Sequence, residues 1–152
     1  MGSRLVDRIH EFLDFWFGNL GTADLPTSDR TNLWFGNNNA LRVSAVEKFK
    51  TDYERAIKGE LDDWKSTARG TLALIILLDQ FSRYLNPESD QSFTYDKLAQ
   101  SICLHAIENK LDHQLTLIER VFFLYAVSAF GRHGFARTVV AALSRSCDPF
   151  DD

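Results

Sequence analysis

The feature that most constrains the fold is an apolar run near the middle of the chain. Residues 72–81 read LALIILLDQF, and no polar side chain interrupts them before Asp79. A helix that is apolar on every side has to be buried on every side, so this segment is expected at the centre of the fold. Ser66 or Thr67 can cap its start, and we expect the helix to reach about Leu85.

Four other segments carry apolar side chains at helical spacing and are expected to pack around this third, central helix. They span about residues 4–17, 41–58, 95–110 and from 116 onward. Gly18 and Gly59 are the expected C-terminal stops of the first two helices. No segment alternates apolar and polar residues as a half-buried strand does. The predicted fold class is all-α, with antiparallel helix pairs in a TPR-like array.

The apolar stripes of two of these helices predict which side chains are buried. For the second helix the stripe comprises Val43, Val46, Phe49, Tyr53, Ala56 and Ile57. For the fourth helix it comprises Leu98, Ala99, Ile102, Ala106 and Ile107. The aromatic residues are expected in the core rather than on a recognition surface, because they bury large areas. They are Phe12, Phe15, Trp16, Phe17, Trp34, Phe35 and Trp64.

Size and charge limit the classes of function. A chain of 152 residues, 45% of them hydrophobic, fits one helical domain over residues 1–152. The net charge of −4 gives no electrostatic reason to bind nucleic acid. The longest apolar stretch, residues 72–78, is far shorter than the roughly 20 residues of a membrane span. Two cysteines without a CxxC motif are typical of a reducing compartment. We therefore expect a cytoplasmic protein that binds neither nucleic acid nor membrane.

The most unusual polar cluster lies at the end of the central helix. Asp79 and Arg83 are four residues apart and share a helix face, and Gln80 lies between them. Such groups on a buried helix either tie it to its neighbours or line a pocket. We expect the structural role, with Arg83 paired to Asp79 or to Glu119.

A second candidate cluster lies at the start of the fifth helix. Thr116 and Glu119 have the spacing of a capping box, in which the two residues satisfy free backbone N–H groups. Arg120 follows Glu119 and is expected as a surface charge. The candidate binding residues are therefore Asp79, Gln80, Arg83, Glu119 and Arg120.

Catalytic, metal and cofactor motifs are not found in the sequence. The four histidines, His10, His105, His113 and His133, are scattered, with no HExxH and no cysteine at ligand spacing. GxSxG, P-loop and GxGxxG motifs are missing as well. We therefore predict no catalytic residue, no metal site and no cofactor.

Several segments together resemble a known bacterial family. They are LDFWFG (13–18), the Trp34-Phe35 pair, A..GELDDW (56–64), RGTLALIILLDQFSR (69–83), F..D..A (93–99) and ERVFF (119–123). This combination is similar to the TPR-like family called domain of unknown function 924, over residues 5–123. The resemblance implies an all-helical TPR-like fold and no established activity. Asn37 to Ser44 lacks the acidic residues that the family usually places there.

The resemblance weakens after Phe123. The family continues with a Tyr-Met-Pro-like segment and a His-Ser-Glu-Asp run, whereas residues 124–135 read LYAVSAFGRHGF. Residues 124–152 also contain no Lys, Glu, Asn, Gln or Ile. One possible coding sequence for residues 124–135, read one base later, encodes YMPFQHSEDMD. We therefore hypothesise that a single-base frameshift produced an atypical tail, which leaves apolar surface exposed and favours self-association.

Two functions fit these observations. The first is a helical scaffold that binds a protein or peptide, by analogy with the TPR-like fold. The alternative is an enzyme whose polar site joins Asp79, Gln80 and Arg83 to the His-Ser-Glu-Asp run that is missing here. An open concavity around Asp79 and Arg83 favours the enzyme, and a sealed position favours a structural role.

Overall fold

The computed structural model describes residues 2–18, 26, 33, 39–82 and 95–125. Five α-helices lie in these ranges: α1 (Gly2–Phe17), α2 (Asn39–Ile57), α3 (Ala68–Ile76), α4 (Asp96–Glu108) and α5 (Leu117–Tyr125). A 3-10 turn (Asp62–Ser66) precedes α3, and a second one (Leu111–Gln114) precedes α5. The described ranges contain no strand. The all-α prediction and its five helices are confirmed.

Helix α3 lies at the centre of the structure. It contacts α1, α4, α5 and the first 3-10 turn. Residues 71–79 are all buried, which agrees with a segment that is apolar on every side. The predicted central position of this helix is therefore confirmed. Among the described helices, none is long and apolar enough to cross a membrane.

The predicted helix ends follow local backbone chemistry. Gly18 (φ 75°) follows α1, and Gly59 (φ 78°) lies just beyond α2. Both lie in the left-handed region, which glycine adopts without steric cost. Thr67, rather than Ser66, is the N-cap of α3, and its hydroxyl accepts a hydrogen bond from the backbone N–H of Gly70 at 3.0 Å. These ends agree with the sequence-based expectations.

The central helix departs from regular α-geometry after Ile76. Leu77–Phe81 forms a π-helical turn, with a wider hydrogen-bonding pattern than the preceding turns. We expected one helix to about Leu85, and this predicted end lies outside the described residues. The apolar pattern of residues 72–81 does not distinguish the two geometries, because both bury every side of the helix.

Two predicted core residues are exposed. Val43 on α2 is 56% exposed, and Leu98 on α4 is 40% exposed. Each lies at the edge of an apolar stripe, where spacing alone does not decide burial. On α2 the buried face includes Asp52 instead. The Arg8 Nε on α1 donates to Asp52 Oδ1 at 3.3 Å, and this hydrogen bond raises the pKa of Arg8.

Aromatic side chains join the helices in the core. Phe12 of α1 packs edge-on against Phe49 of α2, with ring centroids 5.0 Å apart. Trp16 of α1 packs edge-on against Phe122 of α5 at 6.0 Å. Phe17 and Trp64 are also fully buried, while Phe15 is partly buried. The core assignment is confirmed for these residues, and Trp34 and Phe35 lie outside the described residues.

Candidate functional site

A cavity of about 330 Å³ lies beside the first turn of α3. This volume lies within the range of small-ligand pockets, which start near 300 Å³. The cavity is lined by Ile9, His10, Ser66, Thr67, Ala68, Arg69 and Gln114. The lining therefore comes from α1, the start of α3 and the two 3-10 turns, which are distant in sequence.

Backbone packing fixes the chain at the cavity wall. A Cβ atom on Gly70 would lie 2.2 Å from the carbonyl oxygen of Trp64, so this approach requires glycine. Trp64 itself is buried in the first 3-10 turn. The hydroxyl of Thr71 donates to the carbonyl of Thr67 at 2.7 Å. The segment from Trp64 to Thr71 is thus held in one conformation, which places Arg69 at the cavity.

Arg69 is the charged residue of the lining and has one buried partner. Its Nε donates to Oε2 of Glu119 at 3.2 Å, across 50 positions of sequence. The Arg69 side chain is 32% exposed, whereas the Glu119 side chain is 3% exposed. Among the described residues, no partner is found for the two terminal nitrogens of Arg69. The guanidinium is therefore anchored at Nε and has donors left for another group.

The second carboxylate oxygen of Glu119 is held by Thr116. Oε1 accepts hydrogen bonds from the backbone N–H and from the hydroxyl of Thr116, each at 3.0 Å. The bond from the backbone N–H confirms half of the predicted capping box. In the other half the hydroxyl donates to the carboxylate, instead of accepting from the backbone of Glu119. Glu119 thus has a structural role at the start of α5 and also orients Arg69.

Asp79 is separated from this site. It is buried in the π-helical turn, with 5% of its surface exposed. It lies ten residues beyond Arg69, which corresponds to roughly 15 Å along a helix axis. The structure therefore does not bring Asp79 and Glu119 into one cluster. The burial of Asp79 agrees with the structural role that we expected for it.

The predicted partners of Arg83 are Asp79 and Glu119. Arg83 lies outside the described residues, and of Gln80 only the helical position is described. Glu119, one of the two expected partners of Arg83, is bonded to Arg69. The pairing of Arg83 with Asp79 or with Glu119 stays a prediction.

Arg120 lies on the surface, as expected. Its side chain is 47% exposed, and Nη2 lies 3.9 Å from Oδ2 of Asp112. Asp112 is buried, and its Oδ1 has no hydrogen-bond partner in the described part of the chain. Burial, and to a lesser extent the charge of Asp112, raise the pKa of the nearby Cys103 thiol to about 12. Cys103 is therefore protonated near neutral pH and is not a nucleophile.

The histidines do not form a metal site within the described residues. His10, His105 and His113 are exposed, and no group of three potential ligands is found there. His133 lies outside the described residues. His10 has a different place, since it lines the cavity beside Arg69.

None of the seven residues that line the cavity was among the candidate binding residues predicted from the sequence. Arg69, His10 and Gln114 were not among the candidate residues, although they come together here. No local spacing joins positions 10, 69 and 114, because their proximity depends on how α1 and the two 3-10 turns pack. The N-cap at Thr67 was the one sequence signal for this site, because it marks the first turn of α3, which lines the cavity.

Comparison with known proteins supports the fold and identifies the family. A solved protein of unknown function from Agrobacterium tumefaciens has a similar structure, with a TM-score of 0.68 and 24% sequence identity, over 94% of this chain and 76% of that chain. This similarity concerns the fold alone. No curated protein matches the chain.

A family model described as "Bacterial protein of unknown function (DUF924)" matches residues 12–143. The match extends to residue 143, well beyond position 123, where we expected the resemblance to end. It therefore does not mark a boundary at Leu124, and the frameshift stays a prediction about the gene. Because the match covers most of the sequence, the chain belongs to the DUF924 family of bacterial proteins.

Proposed function

We propose that the protein is a binding module that receives a short segment of a partner polypeptide in the cavity beside Arg69. The observation that carries this proposal is the cavity itself, with its volume of about 330 Å³ and its mixed polar and apolar lining. Pockets of this kind bind through apolar contact and use a few polar groups to fix orientation. Ile9 and Ala68 supply the apolar contacts, and Arg69 and Gln114 supply polar groups.

The helical architecture supports the same function. In TPR-like arrays, neighbouring helix pairs form a concave surface that receives a peptide or a helix. Here α1 and α3 pack together, and the cavity lies where their residues meet the second 3-10 turn. We propose that this junction serves as the concave surface. The proposal rests on analogy for the TPR-like arrangement and on the cavity for the location.

An enzymatic function around Asp79 is the second candidate. The observation that favours it is the π-helical turn at Leu77–Phe81, because such turns occur frequently at functional sites. Its weakness is that only 5% of Asp79 is exposed, which leaves little access for a substrate. The cavity beside Arg69 is the better supported site.

Selection from a random peptide library tests the binding function. The library is displayed with free C-termini and selected on the wild-type protein. The affinities of the selected peptides are then measured for two variants, Ser66→Trp and Ser101→Trp. Ser66 is exposed, and its replacement places an indole at the cavity. Ser101 is also exposed and does not line the cavity.

The proposal predicts peptides that bind the wild type and Ser101→Trp equally. Their affinity for Ser66→Trp should fall by about tenfold or more, because the indole competes for the space that the peptide fills. A library without any enriched peptide, or peptides that bind all three proteins equally, would contradict it. Circular dichroism of both tryptophan variants confirms that they are folded.

A further inference from the structure

We infer that the cavity takes a carboxylate carried on a small apolar group, and that Arg69 is the residue that pairs with this carboxylate. The inference deepens the proposed function and rests on it for the position of the ligand. Such a carboxylate occurs at the C-terminal end of a peptide and also on a small carboxylic acid. Both sources present the same chemistry to the cavity.

The charge of the lining supports an anionic ligand. Apart from His10, whose charge depends on protonation, Arg69 is the one charged residue among the seven that line the cavity. None of the seven is acidic. This contrasts with the net charge of −4 for the whole chain. Attraction of a carboxylate is therefore a local property of the cavity and does not come from the overall charge of the protein.

The bond to Glu119 prepares Arg69 for this role. Oε2 of Glu119 holds Nε, and Oε1 is itself held by Thr116. A guanidinium that is oriented in advance loses little side-chain entropy when it binds. Its two terminal nitrogens have no partner among the described residues, and this fork matches the two oxygens of a carboxylate.

Glu119 offsets part of the charge of Arg69 but occupies only one of its hydrogen-bond donors. Its side chain is 3% exposed, and the N–H and hydroxyl of Thr116 both donate to it. An Arg side chain has five N–H donors, of which Glu119 accepts one here. The remaining donors are thus available to a ligand carboxylate.

Neighbouring groups complete the recognition. The hydroxyl of Thr67 accepts a bond from Gly70, so its own hydrogen is available for donation. The amide of Gln114 is a further donor in the lining. Ile9 and Ala68 provide apolar surface beside these donors. The combination fits a carboxylate with an adjacent aliphatic side chain better than a highly charged anion such as phosphate.

Matched acids and amides test the inference on the full chain. The probes are N-acetyl-leucine and N-acetyl-leucinamide, together with the corresponding glycine, valine and phenylalanine compounds. Isothermal titration calorimetry measures their affinities. The amide keeps the shape of the acid and removes its charge. We expect at least one acid to bind, and its amide to bind about tenfold or more weakly, because charge-assisted hydrogen bonds are about twice as strong as neutral ones.

Two variants separate the role of Arg69 from stability. The double variant Arg69→Met/Glu119→Gln removes both charges and keeps an acceptor for Thr116, which limits the cost of an unpaired buried charge. The variant Arg69→Lys keeps the positive charge and loses the paired terminal N–H donors of the guanidinium. Arg55→Met/Glu60→Gln is the matched control, since this exposed pair at 3.6 Å lies outside the cavity lining.

The inference predicts that the double variant binds acid and amide equally, and that the control binds like the wild type. Arg69→Lys should lose about tenfold in affinity for the acid, since a lysine cannot replace a bidentate arginine. Equal binding of acid and amide to the wild type, or no binding by any acid, would overturn the inference.

The two proposals can fail separately. Selected peptides that bind in the cavity equally well with a free or an amidated C-terminus would overturn the carboxylate and leave the binding function intact. Acids that bind through Arg69, without any selected peptide, would overturn the polypeptide partner and assign the site to a small carboxylic acid.

Discussion

The Nε of Arg69 and the Oε2 of Glu119 lie 3.2 Å apart and join the start of α3 to the start of α5. The opposite oxygen of Glu119 receives both donors of Thr116. The buried carboxylate of Glu119 therefore caps the start of α5 and also positions Arg69 at the cavity. Both the stability of the protein and its ligand binding are expected to depend on the Arg69–Glu119 pair.

Removal of Glu119 alone should strongly destabilise the protein. Glu119→Ala leaves a half-buried guanidinium and a backbone N–H without their acceptor, at a cost of about 3 kcal/mol or more. Urea denaturation measures the change in the free energy of unfolding. Glu60→Ala is the control, because Glu60 pairs with Arg55 on the surface and should cost less than about 1 kcal/mol. Equal effects of the two substitutions would contradict the structural role of Glu119.

The close approach at Gly70 predicts a second loss of stability. Gly70→Ala places a Cβ 2.2 Å from the carbonyl oxygen of Trp64, so the backbone has to shift, at a cost of about 3 kcal/mol. Gly59→Ala makes a useful comparison. At Gly59 the nearest atom is 3.9 Å away and only the φ of +78° is unfavourable, at about 1 kcal/mol. Thermal unfolding should rank Gly70→Ala as clearly the more destabilised variant.

Stability is expected to fall at alkaline pH. Burial, and secondarily the charge of Tyr95, raise the pKa of Tyr53 to about 12, and burial raises that of Cys103 to about 12. Both groups lose a proton more readily in the unfolded chain, near pH 10 and pH 8.5. Their stabilising effect is therefore complete below about pH 8 and is lost as the pH rises towards 12. Tyr53→Phe and Cys103→Ala should flatten this decline, measured by urea denaturation between pH 8 and 11. An unchanged slope in both variants would contradict these pKa shifts.

Helix ends were predictable because they depend on neighbouring residues. Gly18, Gly59 and Thr67 each act within one turn of their helix, so their roles can be inferred from a few positions. The burial of α3 was predictable for another reason. A helix with apolar side chains on all sides has no face to expose, whatever its neighbours are.

Features that depend on tertiary packing were not predictable. Val43 and Leu98 each lie at one edge of the apolar stripe of their own helix, and only the position of neighbouring helices decides which edge is covered. The pairing of Arg69 with Glu119 joins residues 50 positions apart, and no periodicity relates them. The cavity depends in the same way on how α1, the start of α3 and the two 3-10 turns come together.

The frameshift hypothesis predicts a specific nucleotide sequence. In the gene, a shift of one base near codon 124 should restore a reading frame that encodes a His-Ser-Glu-Asp run. Resequencing from genomic DNA measures this directly and also separates a sequencing error from a change in the gene. If no one-base shift near that codon yields the run, the hypothesis is wrong. With the frame restored, the protein should self-associate less than the present chain in analytical ultracentrifugation.

The most direct test of ligand binding in the cavity is a backbone amide NMR titration with N-acetyl-leucine. Binding beside Arg69 should shift the amide resonances of residues 9, 10, 66–69 and 114, which line the cavity. Resonances near Asp79 should stay in place, because that residue lies roughly 15 Å further along the helix. Shifts confined to the cavity residues are the predicted result. Shifts centred on another surface, or no shifts at saturating ligand, would contradict binding at this cavity.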